Sequence, residues 1–598
     1  MTRRFIALFI VLLLDAGRSS AQVVPDAGLA AESAGRWDDA VRVYQELLVR
    51  EPARFDLWVR IADIEARRGR AEAAIGALEQ AVRGAPANPT LHSRLSQAYA
   101  QAGRPDAALK AIDAALALQP NDPAYLQSSA TLATWNGSYQ EAAQRYRQLG
   151  KLSPADADTT LKLARVSAWS GETDGAVDAY RRYLAMHGEA ADVWLELARA
   201  ESWRGNYGAA QEALDAYRER FGTTEAYSRE LASVLARGGR PGRAMGLLEP
   251  LLARDPSSYD LSVIRTIALA EQGRPRETFE ALDTVRRLNP TSRETQSAER
   301  LVRTRLGSSI QPGLSFYTDS DQLTIQRYSP SATMLLASGT QLTVGYDHAI
   351  LDAPTRSGLA RLTADSSIYD SGWASVAQKV GAVTFEGRVG SATADAHRLT
   401  VYAVGGRFRS DVLNISAEQS SDFLLISPRT LDLGLTQRRD RVAVDWDASA
   451  RYHVSAEVVY QAISDGNTRW EFALTPRRAF ARTDRLNLDL GASIYTLAAT
   501  RDLPNGYYDP RRYERYTAVA FPYFKVTENV GVALSLAGGV QRDDPASTFR
   551  FGGNAAADLT VGIYQPWALK IGASVTNNRR ETGAFSGYGG SIVLTRRF

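Results

Sequence analysis

The feature that most constrains this chain is a glycine that recurs every 34 residues through the first half. Its eight occurrences are Gly35, Gly69, Gly103, Gly137, Gly171, Gly205, Gly239 and Gly273. Glycine ends helices because it adopts left-handed backbone conformations at little cost. A glycine at one fixed period therefore predicts a repeated turn between two helices, and a chain built of stacked helical units.

Two further positions keep the same register. Five residues after each glycine stands a small residue: Ala40, Ala74, Ala108, Ala142, Ala176, Ala210, Ala244 and Thr278. Seventeen residues after each glycine stands a helix breaker: Pro52, Pro86, Pro120, Pro154, Gly188, Gly222, Pro256 and Pro290. Small residues let helices approach closely, and breakers separate one unit from the next. We therefore expect eight helix–turn–helix units.

Each expected helix has apolar residues on one face, for example Trp58 and Ile61 in one helix and Leu78 in the next. The period and these positions resemble tetratricopeptide repeats over about residues 28–290. Pro25 shortens the first helix of unit one, and residues 293–306 are expected to form a terminal helix that covers the last unit.

Three units carry a tryptophan two residues before the turn glycine: Trp135, Trp169 and Trp203. The resemblance to tetratricopeptide repeats implies that this position lies towards the concave side of the array. A row of indole rings can stack on the apolar faces of sugar rings, so these three are our candidate polymer-binding residues. The alternative, which we favour on frequency, is that large aromatic residues at a repeated position fill the gap between neighbouring units.

After about Ser309 the helical period stops and apolar residues alternate with polar ones, as in a β-strand. In "RLNLDLGASIY", Leu486, Leu488 and Leu490 point one way, whereas Asn487 and Asp489 point the other. One apolar face throughout fits either a water-soluble sandwich or a membrane barrel with a polar lumen.

Three features favour the barrel. The strands are expected to run about 10–14 residues, whereas strands of soluble proteins average about 5–6, and the chain ends within a strand at Phe598. The polar face also carries charges that a dry core would not tolerate. The candidate pore-lining residues are Asp445, Asp447, Glu457, Asp489 and Lys570.

Turn residues divide the second half into sixteen expected strands. They are expected to begin near positions 310, 323, 341, 370, 382, 396, 412, 438, 453, 467, 485, 512, 529, 547, 566 and 586. The predicted fold is an α-solenoid of about eight tetratricopeptide repeats followed by a sixteen-stranded antiparallel transmembrane β-barrel. An even strand number puts both barrel ends on one side of the membrane, which would be the periplasmic side.

The N-terminal residues indicate where the protein is located. Residues 1–21 have two arginines, a short apolar run and small residues before Gln22, which predicts a secretory signal peptide. We expect a periplasmic repeat region over 22–308 and an outer-membrane barrel over 309–598.

The formal charge of +3 does not indicate a nucleic-acid partner. With no cysteine, five dispersed histidines and no nucleophile or phosphate-binding motif, we expect no metal, no cofactor and no enzymatic activity.

Two stretches carry a more specific resemblance. "ISDGNTR", residues 463–469, and "GYYDPRRYERYTAVAFPYF", residues 506–524, follow a repeat array joined to a barrel. Together they resemble the exopolysaccharide export outer-membrane porins, such as those for poly-N-acetylglucosamine and for cellulose. The resemblance implies export of an exopolysaccharide chain. The implied partners are outer-membrane lipid and periplasmic polysaccharide-modifying or synthase-complex proteins, which the repeats would bind.

Two other functions stay open at the level of sequence. The repeats could be a periplasmic protein–protein scaffold anchored by a non-conducting barrel. The protein could also be a surface receptor or adhesin that acts through extracellular loops, although the expected loops are of modest length.

Overall fold

The computed structural model describes residues 26–598 with a few gaps. The gaps are Ala337, Arg356, Thr363, Ala450, Asp484, Pro545, Ser547 and residues 579–585. The expected signal peptide, residues 1–21, lies outside the described residues. The chain folds as two compact units, one ending at His187 and the other beginning at Gly188.

Seventeen helices lie between residue 26 and Leu306 in the described chain. They are α1 (Asp26–Ser33), α2 (Trp37–Arg50), α3 (Phe55–Arg67), α4 (Ala71–Gly84), α5 (Pro89–Gln101), α6 (Pro105–Leu118), α7 (Pro123–Trp135), α8 (Tyr139–Leu152), α9 (Ala157–Ser170), α10 (Thr173–Met186), α11 (Ala191–Trp203), α12 (Tyr207–Phe221), α13 (Glu225–Arg237), α14 (Pro241–Arg254), α15 (Tyr259–Glu271), α16 (Pro275–Leu288) and α17 (Arg293–Leu306). None of these described helices is long and apolar enough to cross a membrane.

The eight repeated glycines form the turns, as the sequence predicts. Their φ angles lie between +63° and +84°, where a side chain would be strained. At seven of the eight, a Cβ would meet no atom within 4 Å. Backbone conformation, rather than lack of space, therefore selects glycine at these positions.

The small residues five positions later lie where helices meet. Seven of the eight are fully or almost fully buried alanines, and Thr278 is fully buried as well. The terminal helix expected over 293–306 is α17, and its Ala298, Val302 and Leu306 pack against Ala270 and Leu282. The helix–turn–helix prediction is confirmed.

Eighteen strands follow the helices in the described chain. In chain order they are β1 (Ser309–Gln311), β2 (Gly313–Asp319), β3 (Thr324–Tyr328), β4 (Ser331–Leu335), β5 (Thr340–Asp352), β6 (Ser366–Val380), β7 (Val383–Ala394), β8 (His397–Arg409), β9 (Leu413–Phe423), β10 (Thr436–Asp447), β11 (Tyr452–Ile463), β12 (Thr468–Arg482), β13 (Leu486–Ala499), β14 (Tyr513–Thr527), β15 (Val530–Asp543), β16 (Arg550–Val561), β17 (Trp567–Thr576) and β18 (Gly587–Arg597).

These strands form a closed antiparallel barrel of sixteen. Strands β1 and β2 both pair with β18, so they form one barrel strand interrupted at Pro312. Strands β3 and β4 both pair with β5 and form the second, interrupted near Pro330. The last strand closes on the first, with Ile592 opposite Leu314. The predicted strand number is confirmed, and each predicted start lies within four residues of an observed one.

The two ends of the barrel differ. At the end where Ser309 enters, which we call the proximal end, strands are joined by turns of two to five residues. The opposite, distal end carries longer connections, among them those over 353–365, 424–435 and 500–512. The second of these contains a short helix, α18 (Pro428–Asp432). Short turns on one side and longer loops on the other are typical of outer-membrane barrels.

Helices of the second unit contact the proximal turns directly. The carboxylate of Asp411, between β8 and β9, accepts hydrogen bonds from the N–H groups of Gly242 and Arg243 at 2.8 and 2.7 Å. These two N–H groups lie in the first turn of α14, where a negative charge is favourable. A second contact joins the Arg451 guanidinium to the Glu212 carboxylate at 2.6 Å.

Candidate functional site

The outward wall of the barrel is apolar and exposed. On β10, Val442 and Trp446 are 47% and 49% exposed, although both are large apolar residues. Neighbouring strands also have apolar residues on the outward face, because Val442 lies opposite Val458 on β11 and Ala417 on β9. A continuous exposed apolar belt on a closed barrel is the surface that lipid tails cover.

The five candidate pore-lining residues all lie on the opposite face of their strands, towards the lumen. Asp445 and Asp447 alternate with the outward Val444 and Trp446, and the pattern is the same in the other strands. The structure therefore brings the five together on the inner wall of one barrel.

Each of these five residues has an oppositely charged or protonatable neighbour. The contacts are Glu457 with Arg441 at 2.8 Å, Asp489 with Arg482 at 2.5 Å, Lys570 with Asp558 at 3.2 Å, Asp445 with His453 at 3.5 Å, and Asp447 with His453 at 2.7 Å. Glu457 and Asp489 are thus each paired with an arginine, whereas Asp445 and Asp447 lie next to the same imidazole. Sequence reasoning overlooked the basic partners, although Arg441 alternates with the apolar Val442 and could have been read as inward-facing.

The distal loop over 424–435 enters the lumen. Ser427 caps α18 and Pro428 is its first residue, a combination that favours a helix start. Ser367 on β6 donates a hydrogen bond from Oγ to the Pro428 carbonyl at 3.1 Å, and the Arg429 N–H donates to the Leu359 carbonyl at 2.8 Å. These contacts hold α18 against one side of the wall.

The same loop reaches the opposite side. Leu425 and Ile426 line a cavity of about 420 Å³ together with inward residues of β2, β3, β16, β17 and β18, among them Arg327 and Asp558. The loop connects β9 and β10, which lie on the opposite side of the barrel from β17 and β18. The loop therefore spans the lumen. This element was not identified from the sequence; the "SPRT" helix start at Ser427 was the available signal.

A buried asparagine fastens a second distal loop. Asn467 is fully buried, and its Nδ2 donates to the Arg501 carbonyl at 3.0 Å, the Tyr507 hydroxyl at 3.1 Å and Asp509 Oδ2 at 3.0 Å. Its Oδ1 accepts from the Arg501 N–H and the Thr500 hydroxyl, both at 3.0 Å. The turn over 464–467 therefore holds the loop over 500–512 in place.

The two motif stretches and the lumen-spanning loop meet in one network. Asp465 Oδ2 accepts from the Tyr507 hydroxyl at 2.7 Å, and Ser427 Oγ donates to the Gly506 carbonyl at 2.6 Å. Gly506 has φ +86°, and a Cβ there would lie 2.5 Å from Arg429 Cβ. Burial raises the pKa of Asp509, which lies in the loop, to about 6. Residues that are distant in sequence thus form one polar network at the distal mouth.

We expect Asn467→Ala to loosen the loop over 500–512, because several buried donors and acceptors would lose their partner. The free energy of local opening should fall by about 2 kcal/mol. Hydrogen exchange at the Leu503 amide, which donates to Asp509 Oδ2 at 2.8 Å, should accelerate by at least tenfold. Asn414→Ala, which removes one long hydrogen bond to Asp445 at 3.4 Å, is the control. Unchanged exchange in Asn467→Ala would contradict this role.

The three repeated tryptophans are exposed. Trp135 is 69% exposed, Trp169 is 50% and Trp203 is 46%. They lie at or next to the last residue of α7, α9 and α11. The packing interpretation that the sequence favoured would bury these side chains fully, whereas about half or more of each remains exposed.

One of the three indole rings contacts a neighbouring aromatic ring. The Trp169 ring lies 5.4 Å from the ring of Tyr139, the first residue of α8, with the two planes tilted by 54°. Such a contact restricts the indole while leaving one face open.

Comparison with protein-family models confirms the repeats. Tetratricopeptide-repeat models match residues 26–89, 65–132 and 170–234. Residues 26–132 and 170–234 are thus shown to be tetratricopeptide repeats, the described helices between and after them keep the same helix–turn–helix arrangement, and a closed sixteen-stranded barrel follows. No curated protein sequence matches this chain.

Several solved structures are similar to parts of the chain. One is a bacterial polysaccharide outer membrane secretin, 14% identical, which covers 49% of this chain and 99% of its own, with a TM-score of 0.41. Another is a tetratricopeptide repeat protein from Parabacteroides merdae, 18% identical, covering 42% of this chain and 98% of its own, with a TM-score of 0.33. MamA from Desulfovibrio magneticus is 19% identical and covers 28% of this chain and 93% of its own, with a TM-score of 0.24.

Proposed function

We propose that this protein exports a polysaccharide across a bacterial outer membrane. In this proposal residues 1–21 direct secretion, residues 22–308 form a periplasmic repeat region, and residues 309–598 form the membrane barrel. The observation that carries the proposal is the barrel itself, which has an apolar outer wall and an inner wall of charged and hydrogen-bonding groups.

The inner wall is suited to a polar polymer. The pairs Glu457–Arg441 and Asp489–Arg482 present charge without a strong local field, because each charge is partly neutralised. A chain of sugar hydroxyls can exchange hydrogen bonds with such groups step by step, entering and leaving without tight binding. Asp445, Asp447, Glu457, Asp489 and Lys570 are the pore-lining residues of this proposal.

The repeats would guide the polymer, or the proteins that synthesise or modify it, towards the proximal end. The proximal turns are the short ones, which in outer-membrane barrels face the periplasm. The exposed indoles of Trp135, Trp169 and Trp203 offer apolar rings that a sugar face can cover. These three are the polymer-binding residues of the proposal.

The indole hypothesis is testable with the full chain in detergent. We expect Trp135→Ala, Trp169→Ala and Trp203→Ala each to weaken binding of a soluble oligosaccharide by about fivefold, which is ~1 kcal/mol, since each removes one stacking surface. Calorimetric titration measures the affinity. Phe279→Ala is the control, because Phe279 is 43% exposed on α16 and stands outside the repeated position.

The outcomes separate the export proposal from the scaffold alternative. If the tryptophan variants and the control bind oligosaccharide equally well, the repeats do not guide the polymer through these rings. If the variants instead lose a periplasmic protein partner while oligosaccharide binding is unchanged, the repeats act as a protein–protein scaffold.

A further inference from the structure

A second polar feature lies inside the barrel, beneath the distal loops. Inward side chains of β12, β13, β14 and β16 surround a cavity of about 500 Å³. Its described lining includes Arg469, Arg515, Tyr495, Tyr513 and Asn578, and it contains two arginines and no carboxylate. The charged side chains that line the cavity in the described chain are therefore all cationic.

Arg469 is the unusual member of this set. It is only 1% exposed, and its one ion pair among the described residues joins Nη2 to Glu471 Oε1 at 3.5 Å. Its Nε and Nη1 are buried and have no hydrogen-bond partner. A buried guanidinium normally has its N–H groups satisfied, because leaving them unpaired is costly.

Glu471 contacts a second side chain besides Arg469. Its Oε2 accepts a hydrogen bond from the Tyr495 hydroxyl at 2.9 Å. Tyr495 holds Glu471 in place, Glu471 in turn contacts Arg469, and the Arg469 guanidinium borders the cavity. The free donors thus belong to a side chain that is held in place.

Arg515 adds a second cation to the same wall. Its guanidinium lies 4.8 Å from the centre of the Tyr495 ring, and it forms no ion pair with any described residue. Stacking on an aromatic face keeps a guanidinium in position while its edge stays available for hydrogen bonds.

The cavity also offers an acceptor. Asn578 is 2% exposed, and its Oδ1 has no hydrogen-bond partner. A ligand that fits must therefore bring an anion for Arg515 whose oxygens can also accept from the N–H groups of Arg469, a hydroxyl donor for Asn578 and an apolar face for the tyrosine rings. A sugar that carries a carboxylate has all three.

We infer that this cavity is a binding subsite for a carboxylate-bearing sugar, so that the exported polymer is an acidic polysaccharide. This inference rests on the proposed export function and specifies its substrate class. The carboxylate interacts with Arg469 and Arg515, a ring hydroxyl donates to Asn578 Oδ1, and the sugar ring packs on Tyr495 or Tyr513.

Two further inward arginines resemble Arg515 in their surroundings. Arg388 and Arg477 each have a buried Nε without a partner. Each guanidinium stacks on an inward aromatic ring, that of Trp373 at 5.4 Å and that of Phe521 at 5.4 Å. These two arginines offer further N–H donors to an acidic polymer, among the inward carboxylates described above.

The test uses the full chain in detergent and two probes that differ only in charge. The probes are a hexamer of galacturonic acid and the same hexamer with its carboxyl groups methyl-esterified. We expect the wild-type chain to bind the free acid at least tenfold more tightly than the ester. Arg469→Gln and, separately, Arg515→Gln should each reduce this preference to threefold or less.

Arg478→Gln is the matched control. Arg478 lies on the same strand as Arg469 but faces outward, 5.6 Å from the ring of Tyr452, so the preference should be unchanged. Folding of each variant is checked by the mobility difference between heated and unheated samples. If Arg469→Gln does not fold, Arg515→Gln decides, because Arg515 is partly exposed and has no ion pair to lose among the described residues.

Equal affinity of the wild-type chain for both hexamers would overturn the inference, as would a preference that survives in Arg515→Gln. Entry of the esterified hexamer into liposomes through the barrel is measured in parallel. If the ester passes but no preference for the acid exists, the export function stands and the acidic substrate class is wrong. If neither hexamer passes even after the lumen-spanning loop is removed, the export function itself fails.

Discussion

Ile494→Arg is expected to lower the free energy of unfolding of the barrel by about 2–4 kcal/mol in a lipid bilayer. Ile494 lies near the middle of β13 and faces outward, between Leu474 on β12 and Tyr516 on β14. If lipid covers this wall, an arginine there must enter hydrocarbon, which is costly near the bilayer centre. Urea unfolding in lipid vesicles, followed by tryptophan fluorescence, measures the change.

The neighbouring residue provides the control. Ser493 faces inward, where its hydroxyl lies 2.9 Å from that of Thr475. Ser493→Arg places the same charge one residue away but in the water-filled lumen, so we expect a change of about 1 kcal/mol or less. Similar effects of the two substitutions would mean that both walls meet the same solvent, and the assignment of the outer wall to lipid would be wrong.

Replacing residues 425–433 by a glycine–serine linker is expected to raise the conductance of the pore severalfold. The loop carries α18 across the lumen and is held by Ser367, by Leu359 and by Gly506. A sixteen-stranded barrel is wide enough to contain an aqueous channel, so this loop, rather than the wall, limits the passage of ions. Single-channel recording in planar bilayers measures the effect.

A proximal turn serves as the control for the loop replacement. Glu528→Gly with Asn529→Ser changes the turn between β14 and β15 at the opposite end of the barrel, and the conductance should not change. If the loop replacement conducts no better than the wild-type chain, the loop is not the barrier. If no variant conducts at all, the barrel is a closed anchor and the scaffold alternative is correct.

Much of the fold could be predicted from local sequence signals. The eight glycines need left-handed backbone and occur at one period, so Gly35 and its seven equivalents mark the turn between the two helices of each unit. In the second half, alternation shows which side chains share a face, and turn residues mark where strands begin. Both signals act over a few residues, and sequence carries them directly.

The candidate site could be predicted only in part from these local signals. Alternation placed Glu457 and Asp489 on the inner face, but it did not show that Arg441 and Arg482 lie within reach of them. For Trp135, the repeated position was clear while its exposure was not. A repeat period shows that residues are equivalent, but whether a neighbouring helix covers them depends on packing.

By itself, the sequence determined an array of tetratricopeptide repeats, a sixteen-stranded barrel, and the residues on each face of its strands. The tertiary structure alone decided that the loop over 424–435 spans the lumen, that Asn467 joins two motif stretches, and that Arg469 is buried with free donors. The physical reason is the range of the interactions. Periodicity reflects backbone geometry over a few residues, whereas these contacts join side chains and loops that meet only when the barrel has closed.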